Sequence, residues 1–304
     1  MVTCKNKGLK GKRKMSEEQK FNLIDCSGIS DVANNSIDKL TSGAGWIASR
    51  KTPAKIAVNT YIEDIQNSNY DPLTKAALIS RAKKTIKEYC NQKDIVEVAL
   101  ASLQTEGRFE EVDDDWIAVF MDKARLISNK EVQKIWGKVL AAECEDNNIP
   151  RSLIYILAQM DREDAETFTI LCSLAIRVED EYQPVIMDKK FDEYKKWGLT
   201  FDKLVSLSAL GLIEMDFGPF ATGYEMENTK NIKTKIVVHY FDLKCEVNTK
   251  REKLPIGNVI FTKSGQALCR TISIEKKDGF WEEYCLPLWK KDDLEKTKNT
   301  DYIE

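Results

Sequence analysis

The stretch from Asp113 to Glu143 constrains the fold of this chain more than any other part of the sequence. Its opening aspartates, residues 113–115, stand where the N-terminus of a helix favours negative charge. The apolar residues that recur after them at helical spacing are Trp116, Phe120, Ala124 and Ile127. This pattern predicts a helix that lays one face on a hydrophobic core.

A second helix is predicted directly after the first. Ser128 and Glu131 form an S-x-x-E pattern, which predicts a capping box at the start of that helix. Its predicted buried stripe consists of Val132, Ile135, Trp136, Val139 and Leu140. The stretch is therefore a strong signal for architecture and a weak one for chemistry.

The same residues resemble a bacterial family known as domain of unknown function 2806. The positions that carry the resemblance are Asp115, Trp116, Ser128, Glu131, Trp136 and Glu143, followed by residues 161–171. Residues 28–57, 207–217 and 261–265 are similar more loosely, so the resemblance spans residues 28–272. Gly137 departs from the pattern, because the family more often has alanine there, and so does the loop 144–150, which is usually richer in glycine.

The resemblance implies a fold and a bacterial or mobile-element origin, and it implies no activity. A looser likeness to abortive-infection proteins suggests a role in phage defence. Two functions follow as hypotheses: a protein that acts by binding, or an abortive-infection effector that acts on a membrane or on nucleic acid.

The chain of 304 residues is long enough for two domains, and the predicted fold is mostly α. Residues 1–27 are predicted to be a basic flexible arm, and residues 28–180 a helical N-terminal and central body. In that body Asp71 and Asp161 are predicted N-caps, the second for a helix over 165–178, and Glu143 is predicted either to pair with a basic side chain such as Arg151 or to be exposed. Residues 181–290 are predicted to form a winged-helix-like α+β domain, and residues 291–304 a charged tail.

The winged-helix prediction rests on the order of elements after residue 179. A helix is predicted from Thr200, with Gly211 as its left-handed stop, and strands at 213–217, 235–243 and 256–262. The residues predicted to be buried in that helix are Phe201, Leu204, Val205, Leu207 and Leu210. Another short helix is predicted after Ser264.

Charge gives one candidate site. The formal net charge is −3, so no global field attracts nucleic acid, but basic residues cluster around the predicted hairpin. The candidate nucleic-acid-binding residues are Lys233, Lys244, Lys250, Arg251 and Lys253. The predicted helix 201–210 offers only Lys203, Ser206 and Ser208 for base readout, so backbone contact is the form of binding predicted here. A protein-binding or purely structural winged helix is the favoured interpretation, and both stay open.

The N-terminal segment has a distinct chemistry. The first twenty residues are rich in lysine and arginine, which stand at positions 5, 7, 10, 12, 13, 14 and 20 against two glutamates. A helix is predicted at 30–49, with Ile37, Leu40, Trp46 and Ile47 on one side. This helix either packs on the protein's own core or lies in a membrane interface.

The remaining patterns exclude several classes of site. None of the eight cysteines forms a C-x-x-C pattern, and His239 is the only histidine, so no metal site is predicted. The position of His239 in the middle of a predicted strand favours a structural role for it. Neither the P-loop pattern nor G-x-G-x-x-G is present, and we predict no cofactor and no catalytic residue. No apolar run is long enough to span a bilayer, no signal peptide opens the chain, and we expect a cytoplasmic protein with reduced thiols. A protein partner or self-association is expected.

Overall fold

The computed structural model describes residues 54–104, 108, 111–146, 148–217, 224–227, 235–248, 253–291 and 295–299. The predicted basic arm and the predicted helix at 30–49 lie outside the described residues. Within these ranges the fold is mostly helical, as predicted, with a smaller region of antiparallel sheet.

Six α-helices come first along the described chain. They are α1 (Ala54–Asn67), α2 (Pro72–Ser102), α3 (Asp114–Ala124), α4 (Lys130–Asp146), α5 (Arg151–Gln159) and α6 (Arg162–Ser173). Aspartates begin three of them. Asp71 accepts from the N–H groups of Leu73 and Thr74, and Asp113 accepts from that of Trp116. Asp161 forms a capping box with Asp164. These side chains satisfy backbone donors that a helix leaves open at its N-terminus.

The junction between α3 and α4 is closed by buried amide side chains. Asn91 donates to the Arg125 carbonyl at 2.8 Å, and Gln133 donates to the Ile127 carbonyl at 2.7 Å. A third amide, from Gln92 on α2, donates to a carbonyl of the last turn of α3. The Arg125 and Ile127 carbonyls lie beyond the last turn of α3, where helical partners end, and the carbonyl that Gln92 binds also accepts from the Arg125 N–H. The long helix α2 therefore fixes the turn between the two helices that the sequence predicts most clearly.

Two local predictions in this region were wrong. The side chain that caps α4 is Asn129, which accepts from the N–H groups of Glu131 and Val132, and not Ser128. The helix predicted to continue from Ala165 to residue 178 ends at Ser173, and a strand follows it. The β-branched Ile176 and Val178 suit that strand, where both are buried.

Nine strands follow α6 in the described chain. They are β1 (Ala175–Val178), β2 (Glu181–Pro184), β3 (Ile213–Met215), β4 (Tyr224–Glu227), β5 (Lys235–Tyr240), β6 (Leu243–Asn248), β7 (Lys253–Gly257), β8 (Val259–Phe261) and β9 (Glu295–Asn299). Five of them form one antiparallel sheet in the order β2-β1-β5-β6-β9. The pairs β3–β8 and β4–β7 are separate and also antiparallel.

Helices are interleaved with these strands. They are the 3-10 helix Asp188–Trp197, α7 (Phe201–Ala209), α8 (Lys263–Thr271), the π-helix Phe280–Cys285 and α9 (Leu286–Lys291). Gly211 has φ 81° and ends α7, as predicted. The strand predicted at 235–243 was wrong in extent, because Phe241 has φ 54° and turns the chain between β5 and β6.

One hydrophobic cluster runs from Ile95 on α2 to Trp289 on α9. The boundary predicted between residues 180 and 181 falls in the turn of the β1–β2 hairpin, and the cluster extends on both sides of it. The division into two domains stays a prediction. No helix in the described part of the chain is long and apolar enough to cross a membrane.

Candidate functional site

The outer side of α7 exposes apolar side chains that were predicted to be buried. Leu204 and Leu207 are fully buried, whereas Phe201 and Val205 are each 44% exposed, so the prediction was wrong for these two. Helix α7 packs on α6 and β3, and these two elements cover only part of the apolar side of the helix. Positions 201 and 205 are one turn apart and lie on the same side of the helix.

A ring contact holds Phe201 in place. The rings of Phe201 and Phe217 lie 5.5 Å apart in an edge-to-face arrangement, which is a favourable geometry for two aromatic side chains. Phe217 is half-buried and extends the apolar surface beyond the helix. We call the surface of Phe201, Val205 and Phe217 the α7 face.

Carboxylates lie close to the α7 face. Glu163 of α6 pairs with Lys203, the single basic residue of α7, at 3.8 Å. Asp164 accepts a hydrogen bond from Ser206 at 3.0 Å, and Asp202 is exposed on α7 itself. This arrangement leaves the neighbourhood of the face with an excess of negative charge.

The negative charge extends to β3. Burial first, and the carboxylates of Glu214 and Asp216 next, raise the pKa of the Tyr224 hydroxyl. A surface of this kind repels phosphate and attracts basic groups.

The structure describes two of the five predicted nucleic-acid-binding residues, Lys244 and Lys253. Lys244 is exposed on β6, and Lys253 is the first residue of β7. Lys233, Lys250 and Arg251 lie outside the described residues. Lys244 is four residues from the end of β6 at Asn248, which is about 13 Å along a strand. The structure therefore separates Lys244 from the end of the strand that leads to Lys250 and Arg251.

Lys244 lies instead in a row of polar side chains that crosses the sheet. Tyr182 is opposite Arg177, Arg177 is opposite His239, and His239 is opposite Lys244. Sequence reasoning assigned His239 a structural role and missed this row. Burial first, then Arg177 and Lys244, lower the pKa of the His239 imidazole, as expected for a base between two cations. The alternation of side chains along β5 places His239 on the outer side of the sheet. No residue near His239 in the sequence indicates that β5 pairs with β1.

A cleft of about 510 Å³ lies between α4 and α8. On one side Lys138 donates to the Ser273 hydroxyl at 2.8 Å, and Arg270 donates to the Asp180 carbonyl at 2.6 Å. Glu145 and Asp146 line the cleft as well. Both signs of charge are present among the side chains that line the cleft, so it offers polar binding.

Three of the buried thiols in the described part of the chain offer little reactivity. Burial raises the pKa of Cys144 to about 12, and it also raises the pKa of Cys172 and Cys285 well above the ordinary value. A thiol that stays protonated is a poor nucleophile and a poor metal ligand. Among the described residues no group of histidine, cysteine, aspartate or glutamate is placed to hold a metal ion.

Comparison with curated proteins finds no match, and comparison with solved structures finds none either. The family described as "Protein of unknown function (DUF2806)" matches residues 78–285, which is more than half of the chain. The match includes the α7 face, the row across the sheet and the cleft, whereas the loosely similar segment 28–57 lies outside it. As the resemblance around Trp116 and Trp136 predicted, the chain belongs to the DUF2806 family.

Proposed function

We propose that this protein acts by binding a polypeptide segment through the α7 face. The observation that carries the proposal is the exposure of Phe201 and Val205, one turn apart, on a helix whose other apolar side is fully buried. Removing apolar surface from water contributes roughly 25 cal/mol per Å², so a partner that covers both side chains gains affinity. Exposed apolar patches with a polar rim often mark protein-binding sites.

The order of elements supports a winged-helix-like domain around this face. Helix α7 is followed by β3, by the strands that lead to β8, and by α8, which agrees with the order of helix, strands and short helix predicted from the sequence, and β3 pairs with β8. Strand β2 lies beside β8, since the Phe261 N–H donates to the Gln183 side chain at 2.9 Å. In that arrangement α7 takes the place of the helix that reads DNA in nucleic-acid-binding relatives of the fold. Its apolar and acidic surroundings favour a polypeptide over phosphate.

The partner segment has to match an apolar surface with carboxylates around it. A segment that carries both lysines and large apolar side chains fits, because the charges pair with the rim and the apolar groups cover Phe201 and Val205. Residues 1–49 of this chain have that chemistry: seven basic residues precede the apolar set that includes Ile37, Leu40 and Trp46. The ligand we propose is therefore the N-terminal segment, from the same chain or from a second copy.

Zero-length carbodiimide cross-linking of the intact protein tests this proposal, because it joins lysines to carboxylates in contact. We expect cross-links from the lysines of residues 5–20 to Glu163, Asp202 or Glu214, and we expect the double variant Phe201→Ser/Val205→Ser to lose them. Tyr155→Ser, at another exposed aromatic residue, is the matched control and retains the cross-links. Cross-links that grow with protein concentration identify a second copy. Cross-links that are absent, or that the double variant leaves unchanged, contradict the proposal.

A second candidate function is backbone contact with nucleic acid through Lys233, Lys244, Lys250, Arg251 and Lys253. The observation in its favour is Lys244, which is exposed and forms no ion pair with a carboxylate in the described part of the chain. Contacts of this kind position a protein on nucleic acid without reading sequence.

The two biological roles suggested by sequence resemblance stay predictions. A binding protein in phage defence is compatible with either surface. An abortive-infection effector on a membrane requires residues 28–57 to touch lipid, and flotation of the intact protein with liposomes tests that requirement. Absence of the protein from the floating fraction rules out the membrane version.

A further inference from the structure

Three side chains that carry or can carry positive charge lie side by side on the outer side of the five-stranded sheet. Arg177 on β1, His239 on β5 and Lys244 on β6 are direct cross-strand neighbours in the antiparallel register. The residues that flank them, Ile176, Val178, Val238, Tyr240 and Cys245, are buried and point to the core. Since side chains alternate along a strand, the three are on the opposite side of the sheet. We call them the cationic row.

The cationic row is electrostatically unfavourable by itself. Like charges directly opposite one another destabilise a pair of strands, and cross-strand Cβ atoms are only about 5 Å apart. Neither Arg177 nor Lys244 forms an ion pair with a carboxylate among the described residues. The bond that Arg177 makes is a long one, 3.5 Å, to the carbonyl oxygen of Glu179.

The nearby carboxylates have other positions or partners. Asp242 in the β5–β6 turn lies 3.9 Å from Lys276. Glu246 is two residues beyond Lys244 on the same side of β6, opposite Val237 rather than His239. Among the described residues, no carboxylate therefore stands directly opposite a member of the cationic row, and Tyr182 lies at its β2 end.

We propose that the cationic row binds a phosphate group, from a phosphorylated small molecule or from a nucleic-acid backbone. The spacing between strands is about 4.8 Å, so Arg177 and Lys244 are about 10 Å apart at their Cβ atoms with the imidazole between them. Long side chains reach a common anion from these positions. The arginine fork donates to two phosphate oxygens, and the ammonium adds a point charge.

The protonation state of His239 depends on the charge of the ligand that the cationic row binds. The imidazole faces Arg177 from β1 and Lys244 from β6. Further titratable groups around the row are Tyr182, Glu179, Asp242, Glu246 and, opposite Glu246 on β9, Lys298. The two cations favour the neutral imidazole, and a bound phosphate anion beside it favours the protonated form. Binding therefore raises the pKa of His239, and binding strengthens as the pH falls through that range. The inference stands independently of the α7 face, and it deepens the second candidate function.

The single histidine of the chain provides the readout. The imidazole resonances of the intact protein are followed by NMR over a pH series, with inorganic phosphate, with a single-stranded oligothymidine, and with neither ligand. Arg177→Gln and Lys244→Gln are the test variants, and Lys134→Gln on α4 is the matched control. The melting curve of each variant checks that it folds.

We expect phosphate, the oligonucleotide or both to raise the pKa of His239 by about 0.5 or more, as a charge at about 5 Å does in water. Without ligand, both test variants raise the pKa of His239, because each removes a neighbouring cation. With ligand, the further rise is lost in both and kept in Lys134→Gln.

The pattern of responses distinguishes the source of the phosphate. A response to inorganic phosphate alone identifies a small phosphorylated ligand, and a stronger response to the oligonucleotide that weakens with salt identifies nucleic acid. The proposal is overturned if neither ligand moves the pKa of His239 in the wild-type protein. It is also overturned if the rise persists in both test variants.

Discussion

Gly137 of α4 lies so close to Val98 of α2 that a Cβ atom added to the glycine would stand 2.5 Å from the valine Cβ. The same added atom would stand 2.9 Å from the carbonyl oxygen of Ile95. Glycine therefore allows the backbones of α2 and α4 to approach, even though it is a poor residue for the interior of a helix.

Gly137→Ala tests this packing. The gain in helix propensity is about 1 kcal/mol, whereas overpacking costs typically about 1–3 kcal/mol, so we expect a net loss in the free energy of unfolding. Val98→Ala removes the Cγ1 atom, which the new methyl group would also meet at 2.5 Å, and keeps the Cβ atom, so it relieves part of the clash. The double variant is therefore expected to be less destabilised than the two single changes summed, as measured by urea unfolding. A Gly137→Ala variant that is more stable than the wild type contradicts the assigned contact.

Trp136 and Trp289 are the largest fully buried side chains among the described residues. Trp136 lies on the predicted stripe of α4. Its ring lies 4.9 Å from that of Phe120, and among the described residues its indole N–H has no hydrogen-bond partner. We expect Trp136→Ala to reduce the free energy of unfolding by about 3–5 kcal/mol. Trp136→Phe keeps most of the ring contact and removes the unpaired donor, so its loss is expected to be less than half as large. If Trp136→Ala and Trp136→Phe lose the same free energy of unfolding, in both thermal and urea denaturation, this account of the stripe is ruled out.

Glu143 is buried and accepts a hydrogen bond from the Ile149 N–H at 2.8 Å. The sequence suggested Arg151 as its partner, but Arg151 pairs with Asp113 at 3.2 Å. Burial raises the pKa of Glu143 above its ordinary value, against the lowering effect of the Ile149 hydrogen bond, and the charge of Asp113 adds to the rise.

This direction fixes the sign of a pH effect. A raised carboxyl pKa means that the folded protein holds the proton more tightly than the unfolded chain does. The stability that Glu143 contributes is therefore present below its unfolded pKa of about 4.3 and is lost as the pH rises through the folded value. We expect the stability of Glu143→Gln, relative to wild type, to increase from pH 4 to pH 7 in urea unfolding. A difference that stays constant or decreases over that range excludes the assignment.

The elements that local chemistry determines were predicted well. Asp71 and Asp161 were identified as caps because an aspartate before an apolar stripe satisfies open N–H groups wherever the helix packs. Trp116 and Phe120 are buried because the four apolar residues at helical spacing share one side of α3, and that side packs on the core. Gly211 ends α7 because glycine adopts a positive φ without strain.

The parts that depend on distant partners were not predictable in the same way. Burial of Phe201 and Val205 depends on how much of α7 is covered by α6 and β3, and the apolar pattern alone carries no such information. The cationic row requires Arg177 to pair with His239, which is far along the chain. The β5–β6 turn at Phe241 lacks the glycine and asparagine residues that normally announce a hairpin.

The predicted hairpin lysines have a separate test in solution. If Lys250, Arg251 and Lys253 contact phosphates, replacing all three with alanine lowers the slope of log affinity against log salt by about two to three. Fluorescence anisotropy with a random duplex over a salt series measures this slope. Sequence preference is expected to stay unchanged, because phosphate contacts carry no base readout. Absence of binding by the wild-type protein at low salt removes the nucleic-acid hypothesis for these residues.

The most direct test of the α7 face is the environment of Trp46, the tryptophan of the proposed N-terminal ligand. The intact protein contains six tryptophans, so labelling with 5-fluorotryptophan gives six fluorine resonances, and Trp46→Phe identifies the one from residue 46. The difference in its frequency between H₂O and D₂O reports how much solvent reaches the ring. We predict a small difference in the wild type and in Tyr155→Ser, and a large one in Phe201→Ser/Val205→Ser. A Trp46 resonance that is equally shielded in the double variant, or fully exposed in the wild type, contradicts the account.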